Sequence, residues 1–283
     1  MEAFTIIENT HFLVKRMCLF MSDRDISFSV FTKPWKSPSV WDLCVMVKEM
    51  GFDGVEFPLR DGYQLEPAQA SQLPQLVKQF ADHGLSIFSI ASTPDEHVFA
   101  GCAEAGIPMI RIMPSINQED GYMLSEQKAR RHLESLLPLC EKYGVKIGNQ
   151  QHYGNHIIDS MGLLHLLDGL DPGKVGAIWD TAHDALAGQQ PEYGLDIVWP
   201  YLCMVNFKNA YYKRTSGPEA EQAEWKRYFT SGRQGLASWS RAAAYLNKRS
   251  YQGVICLTAE YTNEQETERL IREDIQYAKS LFA

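Results

Sequence analysis

The side chains best able to do chemistry are Gln150, His152, Asp180, His183, Asn206, Lys208 and Glu260. Gln150, Asp180, Asn206 and Glu260 carry oxygens and stand within or at the end of the apolar runs Val145–Gln150, Val175–Asp180, Leu202–Lys208 and Val254–Glu260. Four oxygens brought to one point by neighbouring strands can hold a hard divalent cation, and oxygen donors favour Mg or Mn over Zn. A carboxylate beside such an ion can act as a general base.

That convergence requires the runs to be parallel strands ending on one face. From Ile26 onward, strand-length runs alternate with helical patterns. Strands are expected at Ile26–Phe31, Phe52–Leu59, Leu85–Ala91 and Met109–Met113, followed by the four runs above. Between them, Ser39 is placed to cap a helix ending at Gly51. Further helices are expected over Glu66–His83, Asp95–Ala105, Ser125–Tyr143, Ser160–Leu170, Ser238–Lys248 and Glu264–Leu281. Alternation of this kind implies parallel pairing with right-handed crossovers, and eight units over 283 residues predict a closed (β/α)8 TIM barrel. No glycine-rich phosphate loop follows any strand, which excludes the usual nucleotide-binding folds. Residues 26–283 are expected to form one barrel domain and residues 1–25 an N-terminal extension.

Composition narrows the partners. The formal net charge is -8, from 35 acidic and 27 basic side chains, and such a surface repels nucleic acid and anionic membranes. The six cysteines form no C-x-x-C pair and read as buried hydrophobes of a reducing, cytoplasmic compartment. The run Phe12–Met21 is broken by Lys15 and Arg16, too short to span a bilayer and poorly built as a signal peptide. It reads as an arm or edge helix packed on the barrel.

Several segments carry a family likeness. Gly144–His152 resembles a strand ending in Glu-Asn-His, Trp179–His183 an Asp-x-x-His element, Val205–Asn209 a His-x-Lys-Asp element, and Leu257–Tyr261 a terminal Glu strand. Gly51–Glu56 and Tyr251–Gly253 match the approaches to the second and eighth strands. Together, in chain order over Ile26–Ala283, they resemble the sugar phosphate isomerase/epimerase family of xylose isomerase-like barrels. The resemblance implies a divalent metal held by Glu, Asp, His and Glu, with two glutamates moving protons. Here Gln150 replaces one Glu and Asn206 the His. Metal affinity should fall, and Gln150 has no carboxylate with which to act as a base. Catalysis would rest on Glu260, helped by His183 or Lys208, and one base suits isomerisation or dehydration on one face.

For a small sugar or polyol substrate, His152, Lys208, Trp35 and Tyr212 are the expected contacts, with Tyr211 as a further aromatic. Tyr212 stands where the family carries an arginine, a role Lys213 or Arg214 would have to take. Glu56 is assigned an internal ion pair, with Arg111 as its partner. The polar segment Lys213–Arg233 is expected to be a long loop with a short helix near Glu221–Tyr228, a lid or a contact in a homo-oligomer. Two other functions compete: a phosphodiester nuclease, for which eight scattered histidines supply no zinc cluster, and a sugar- or partner-binding barrel that has lost catalysis.

Overall fold

Apolar runs flanked by amphipathic helices can bury both strand faces by closing into a ring, one face filling the inside and the other meeting helices. In the computed structural model, which describes residues 26–283, the chain does this. The expected extension at residues 1–25, with its apolar run and Cys18, lies outside the described residues. The barrel strands are β1 (Ile26–Phe31), β2 (Gly54–Pro58), β3 (Ser86–Ala91), β4 (Met109–Ile112), β5 (Lys146–Gln150), β6 (Val175–Asp180), β7 (Leu202–Phe207) and β10 (Gly253–Leu257). All pairings in the ring are parallel, and β10 closes it on β1, from Ile26 opposite Gly253 to Val30 opposite Leu257. Phe31, Ala91, Met109, Ile178, Met204 and Cys256 pack inside the barrel, while the larger core lies between strands and helices. Because the interior is filled, polar groups can gather only at the mouth formed by the C-terminal strand ends.

The outer helices are α1 (Val40–Glu49), α2 (Leu73–Asp82), α3 (Glu96–Ala105), α4 (Gly121–Tyr143), α5 (Ser160–Leu167), α6 (Thr181–Leu186), α7 (Pro191–Val198), α8 (Trp239–Lys248) and α9 (Thr267–Ser280). Ser39 caps α1 by accepting the Asp42 N–H, as its type predicts.

Four elements differ from the sequence expectation. The single helix over Glu66–His83 is a 3-10 turn, Pro67–Gln72, followed by α2, because Pro74 lacks an N–H and fits only a helix's first turn. Two short helices, α6 and α7, follow β6, where no helix was anticipated; neither is long enough to show a periodic apolar face. The segment expected as loop and short helix is an antiparallel hairpin, β8 (Asn209–Arg214) with β9 (Trp225–Thr230). Tyr211 stacks on Tyr228 across it at 5.7 Å, a cross-strand pair that outweighs local helix preference. Finally, β10 stops at Leu257, so Glu260 lies beyond the strand on a turn where Ala259 has a φ of 50°.

Candidate active site

The mouth residues arrive from six of the eight barrel strands or the turns just after them. Asn206, inside β7, pairs in register with Asp180 at the end of β6, and Gln150 ends β5. Arg111 comes from β4 and Glu56 from β2. Lys208 follows β7, its backbone N–H donating to the Thr181 hydroxyl and its carbonyl accepting from Trp239 Nε1. Glu260 is turned into the mouth by Ala259. A non-glycine residue in the left-handed region costs about 1–3 kcal/mol, and such strain gathers at functional sites.

Two chains of polar contacts cross this mouth. In the first, Arg111 donates from Nε to Glu56 Oε1 at 2.7 Å and from Nη1 to Gln150 Oε1 at 2.7 Å. Gln150 Nε2 then donates to Asp180 Oδ2 at 2.9 Å. Asp180 also caps α6 through Oδ1, accepting the N–H groups of Ala182 and His183. Burial pushes its carboxyl up to about 6 despite those donors. The expected Glu56–Arg111 pair is present, with the guanidinium 4.5 Å from the Phe31 ring centre.

In the second chain, Lys208 Nζ donates to Glu260 Oε2 at 2.7 Å and stands 3.4 Å from His183 Nε2. The hairpin roofs it with Phe229, whose ring centre is 3.9 Å from Nζ. Burial raises the Glu260 carboxyl, but the charges of Lys208 and Lys33 outweigh it and hold the group below the usual carboxylate range. Glu260 is therefore ionised at neutral pH. Burial, then Lys208, drives His183 well below its ordinary value, and the same causes bring His152 down to about 4. Both imidazoles are neutral.

Between the chains lies a cavity of about 40 Å³ lined by Phe31, Gln150, His152, Asn206, Lys208 and Glu260, among others. Asn206 is 1% exposed, and neither its amide oxygen nor its amide nitrogen has a hydrogen-bond partner among the described residues. A buried unpaired amide costs about 1–3 kcal/mol, and Asn206 lines the cavity with both amide atoms unspent.

The four expected metal donors do gather near this mouth, but as they stand they do not fit a divalent cation. The Gln150 oxygen is committed to Arg111, Asp180 to Gln150 and a helix cap, and Glu260 to Lys208. Among the described residues, no group of three or more His, Cys, Asp or Glu forms a metal shell. Lys33, Arg60, Arg111 and Lys208 already set four positive charges against Glu56, Asp180 and Glu260. A dication taking all these donors would have to displace three charge-assisted hydrogen bonds. The physical reason is the pair of amides: each removes a negative or basic donor, and protein cations fill the space.

The substrate contacts divide. His152 and Lys208 line the cavity. Trp35 is buried in the core and Tyr212 is 47% exposed on the hairpin, and neither lines the cavity. Tyr211 is held by Tyr228. Lys33, Arg60, Met113 and Thr258 line the cavity and were not anticipated. Only Arg111 signalled itself, as a charge inside an apolar strand.

A closed ring of eight parallel strands with its polar groups at the C-terminal mouth defines a TIM barrel. The profile of the xylose isomerase-like TIM barrel family matches residues 45–281, and the chain belongs to that family. A curated relative, inosose dehydratase of Bacillus anthracis (strain CDC 684 / NRRL 3495), is 23% identical over 183 residues, 63% of this chain. That match spans 59% of the relative, less than two thirds of its length. Among solved structures, the probable 3-DHS dehydratase AsbF of Bacillus anthracis superposes with a TM-score of 0.67 at 14% identity, covering 89% of this chain and 98% of its own. A D-psicose 3-epimerase from Clostridium cellulolyticum H10, determined with D-tagatose, gives 0.66 at 12% identity, covering 90% and 99%. At these identities the likeness establishes the fold. The family and these neighbours include epimerases and dehydratases.

Proposed function

We propose that the protein catalyses proton transfer next to the carbonyl of a small polyhydroxylated compound, with Glu260 as its only carboxylate base. The observation that carries this reading is Asn206, buried without a partner beside the Lys208–Glu260 pair. A substrate carbonyl oxygen in the cavity would accept hydrogen bonds from Asn206 Nδ2 and the Lys208 ammonium. Glu260 would remove the proton from the adjacent carbon, and the electron pair would move onto the oxygen held by those two donors. Such donors contribute about 10²–10³-fold to rate. Return of that proton by Glu260 to the former carbonyl carbon on the same face, with Lys208 giving a proton to the old carbonyl oxygen and taking one from the neighbouring hydroxyl as it becomes the new carbonyl, completes an aldose–ketose isomerisation. Gln150 cannot serve as the second base that a two-carboxylate epimerisation needs. No step is routed through a divalent cation, because the donor set does not fit one.

A second outcome of the same enolate is loss of a β-hydroxyl as water, its departing oxygen taking a proton from Lys208. The ammonium 2.7 Å from the base and the similarity to an inosose dehydratase favour it.

The test is deuterium incorporation from D2O, followed by NMR, with linear ketoses and cyclic keto-polyols and with protein freed of metal by a chelator. Exchange at the carbon beside the carbonyl is expected in the wild type. Glu260→Gln should lower it by about 10²–10⁴-fold, measured below the variant's own thermal midpoint, because removing the partner of the buried Lys208 also costs stability. Exchange undiminished in that variant would remove Glu260 as the base, and no exchange with any compound would leave a binding barrel without catalysis.

A further inference from the structure

The 40 Å³ cavity holds a water or two and cannot enclose a six-carbon compound as its walls stand. It opens beside a much larger groove, about 840 Å³, on the same barrel face. The groove runs between the loops after β2, β3 and β4 and the first half of α4. Arg60, Arg111 and Met113 line both spaces and form the seam between them. The body of any substrate whose carbonyl reaches Asn206 therefore has to lie in the groove.

The seam is positively charged without full compensation. Arg60 makes a single hydrogen bond, Nε to the Ala91 carbonyl at 3.3 Å, and no carboxylate lies within salt-bridge distance of it among the described residues. Arg111 is 4% exposed and uses Nε and Nη1 on Glu56 and Gln150, but its buried Nη2 has no partner among the described residues. Burial lowers the Arg60 guanidinium, and the neighbouring Arg111 charge lowers it further, so the two cations repel each other. Two guanidiniums held together with open donors are stabilised by an oxyanion that takes both. The remaining walls are apolar over much of their area, with Leu59, Pro94, Met113, Pro114 and Leu133 among them, and their charged positions are the carboxylates Asp61 and Asp120 with Lys128 beside them.

We infer that Arg60 and Nη2 of Arg111 form an oxyanion-binding seam, and that the substrate is a carbonyl compound bearing a carboxylate or phosphate on a partly apolar skeleton. This rests on the proton-transfer reading for its carbonyl end, but the anion site stands on its own geometry. Its test is binding, measured calorimetrically with cyclohexanecarboxylate, inorganic phosphate and the neutral cyclohexanecarboxamide. The wild type should bind at least one anion and should bind the amide more weakly than the acid. Whichever anion binds more tightly identifies the acidic group. Arg60→Met should weaken anion binding roughly ten- to 150-fold, the worth of a hydrogen bond to a charged group. Arg60→Lys, which keeps the charge but not the fork, should fall between, and decides the matter if Arg60→Met does not fold. Glu260→Gln should bind the anion as tightly as wild type or more tightly, so loss of exchange in that variant stays separate from loss of the seam. Equal binding of acid and amide, no anion binding to wild type, or unchanged affinity in the Arg60 variants would overturn the inference.

Discussion

Replacing Gln150 by glutamate tests whether the mouth is built around amides. In the wild type, Gln150 Nε2 donates to Asp180 Oδ2 at 2.9 Å, and its oxygen accepts from Arg111 at 2.7 Å. Q150E converts that donor into a second carboxylate oxygen. Two ionised groups at this distance repel by about 6 kcal/mol at an effective dielectric near 20. Arg111 offsets most of that, being slightly closer to the new charge, although it already serves Glu56. What is not offset is the lost hydrogen bond to a charged acceptor, about 1.5–3 kcal/mol. The loss is pH-dependent. A proton shared by the two carboxyls restores the contact, so the folded state binds it more tightly than the unfolded chain does. Stability then falls as pH rises from the unfolded value near 4 through the raised folded value. For a domain of this size, thermal midpoints should drop by about 4–10 °C near pH 8 and by about 2 °C or less near pH 5. Millimolar Mn²⁺ should recover part of the drop in the variant and leave the wild type unmoved, since only the variant has two adjacent carboxylates to offer. A midpoint change that is the same at both pH values, or wild-type stabilisation by Mn²⁺, would refute the account of the mouth.

Other consequences follow from the same electrostatics. Burial is the leading cause that pushes Asp180, Asp184 and Asp274 each up to about 6, so for these groups folding takes up protons and stability declines as pH rises from about 4 to about 6. Asp274→Asn should remove one such contribution and flatten the pH dependence of the denaturant midpoint by up to about 1.4 kcal/mol per pH unit; an unchanged slope would count against it. With His152 lowered to about 4 and His183 lower than its ordinary value, their ring NMR signals should stay those of neutral imidazole between about pH 5 and 8. Titration of either near 6.5 would show that the imidazoles are not buried beside Lys208 as described.

The barrel itself was legible from sequence because each of its strands is a short apolar run bounded by glycine, proline or a capping residue, and these signals are local. Gly106 and Gly144, both left-handed at helix ends, and Ser39 at a helix start are of this kind. So was the gathering of Gln150, Asp180, Asn206 and Glu260, since parallel strands must end on one face. Even the Glu56–Arg111 pair followed, as two opposite charges in apolar strands have nowhere else to go. The hairpin did not follow, because its stability comes from pairing Tyr211 with Tyr228 across an intervening turn. Nor did the state of the mouth. Sequence names the donors, but whether an amide oxygen is free for a metal or spent on Arg111 depends on distances of an ångström, set by strands far apart in the chain. Arg60 and Lys33 entered the site in the same way, from loops whose course no local pattern specifies. Residue types decided which chemistry was available; packing decided which groups were already satisfied and left Asn206, Arg60 and Arg111 Nη2 with unmet hydrogen bonds.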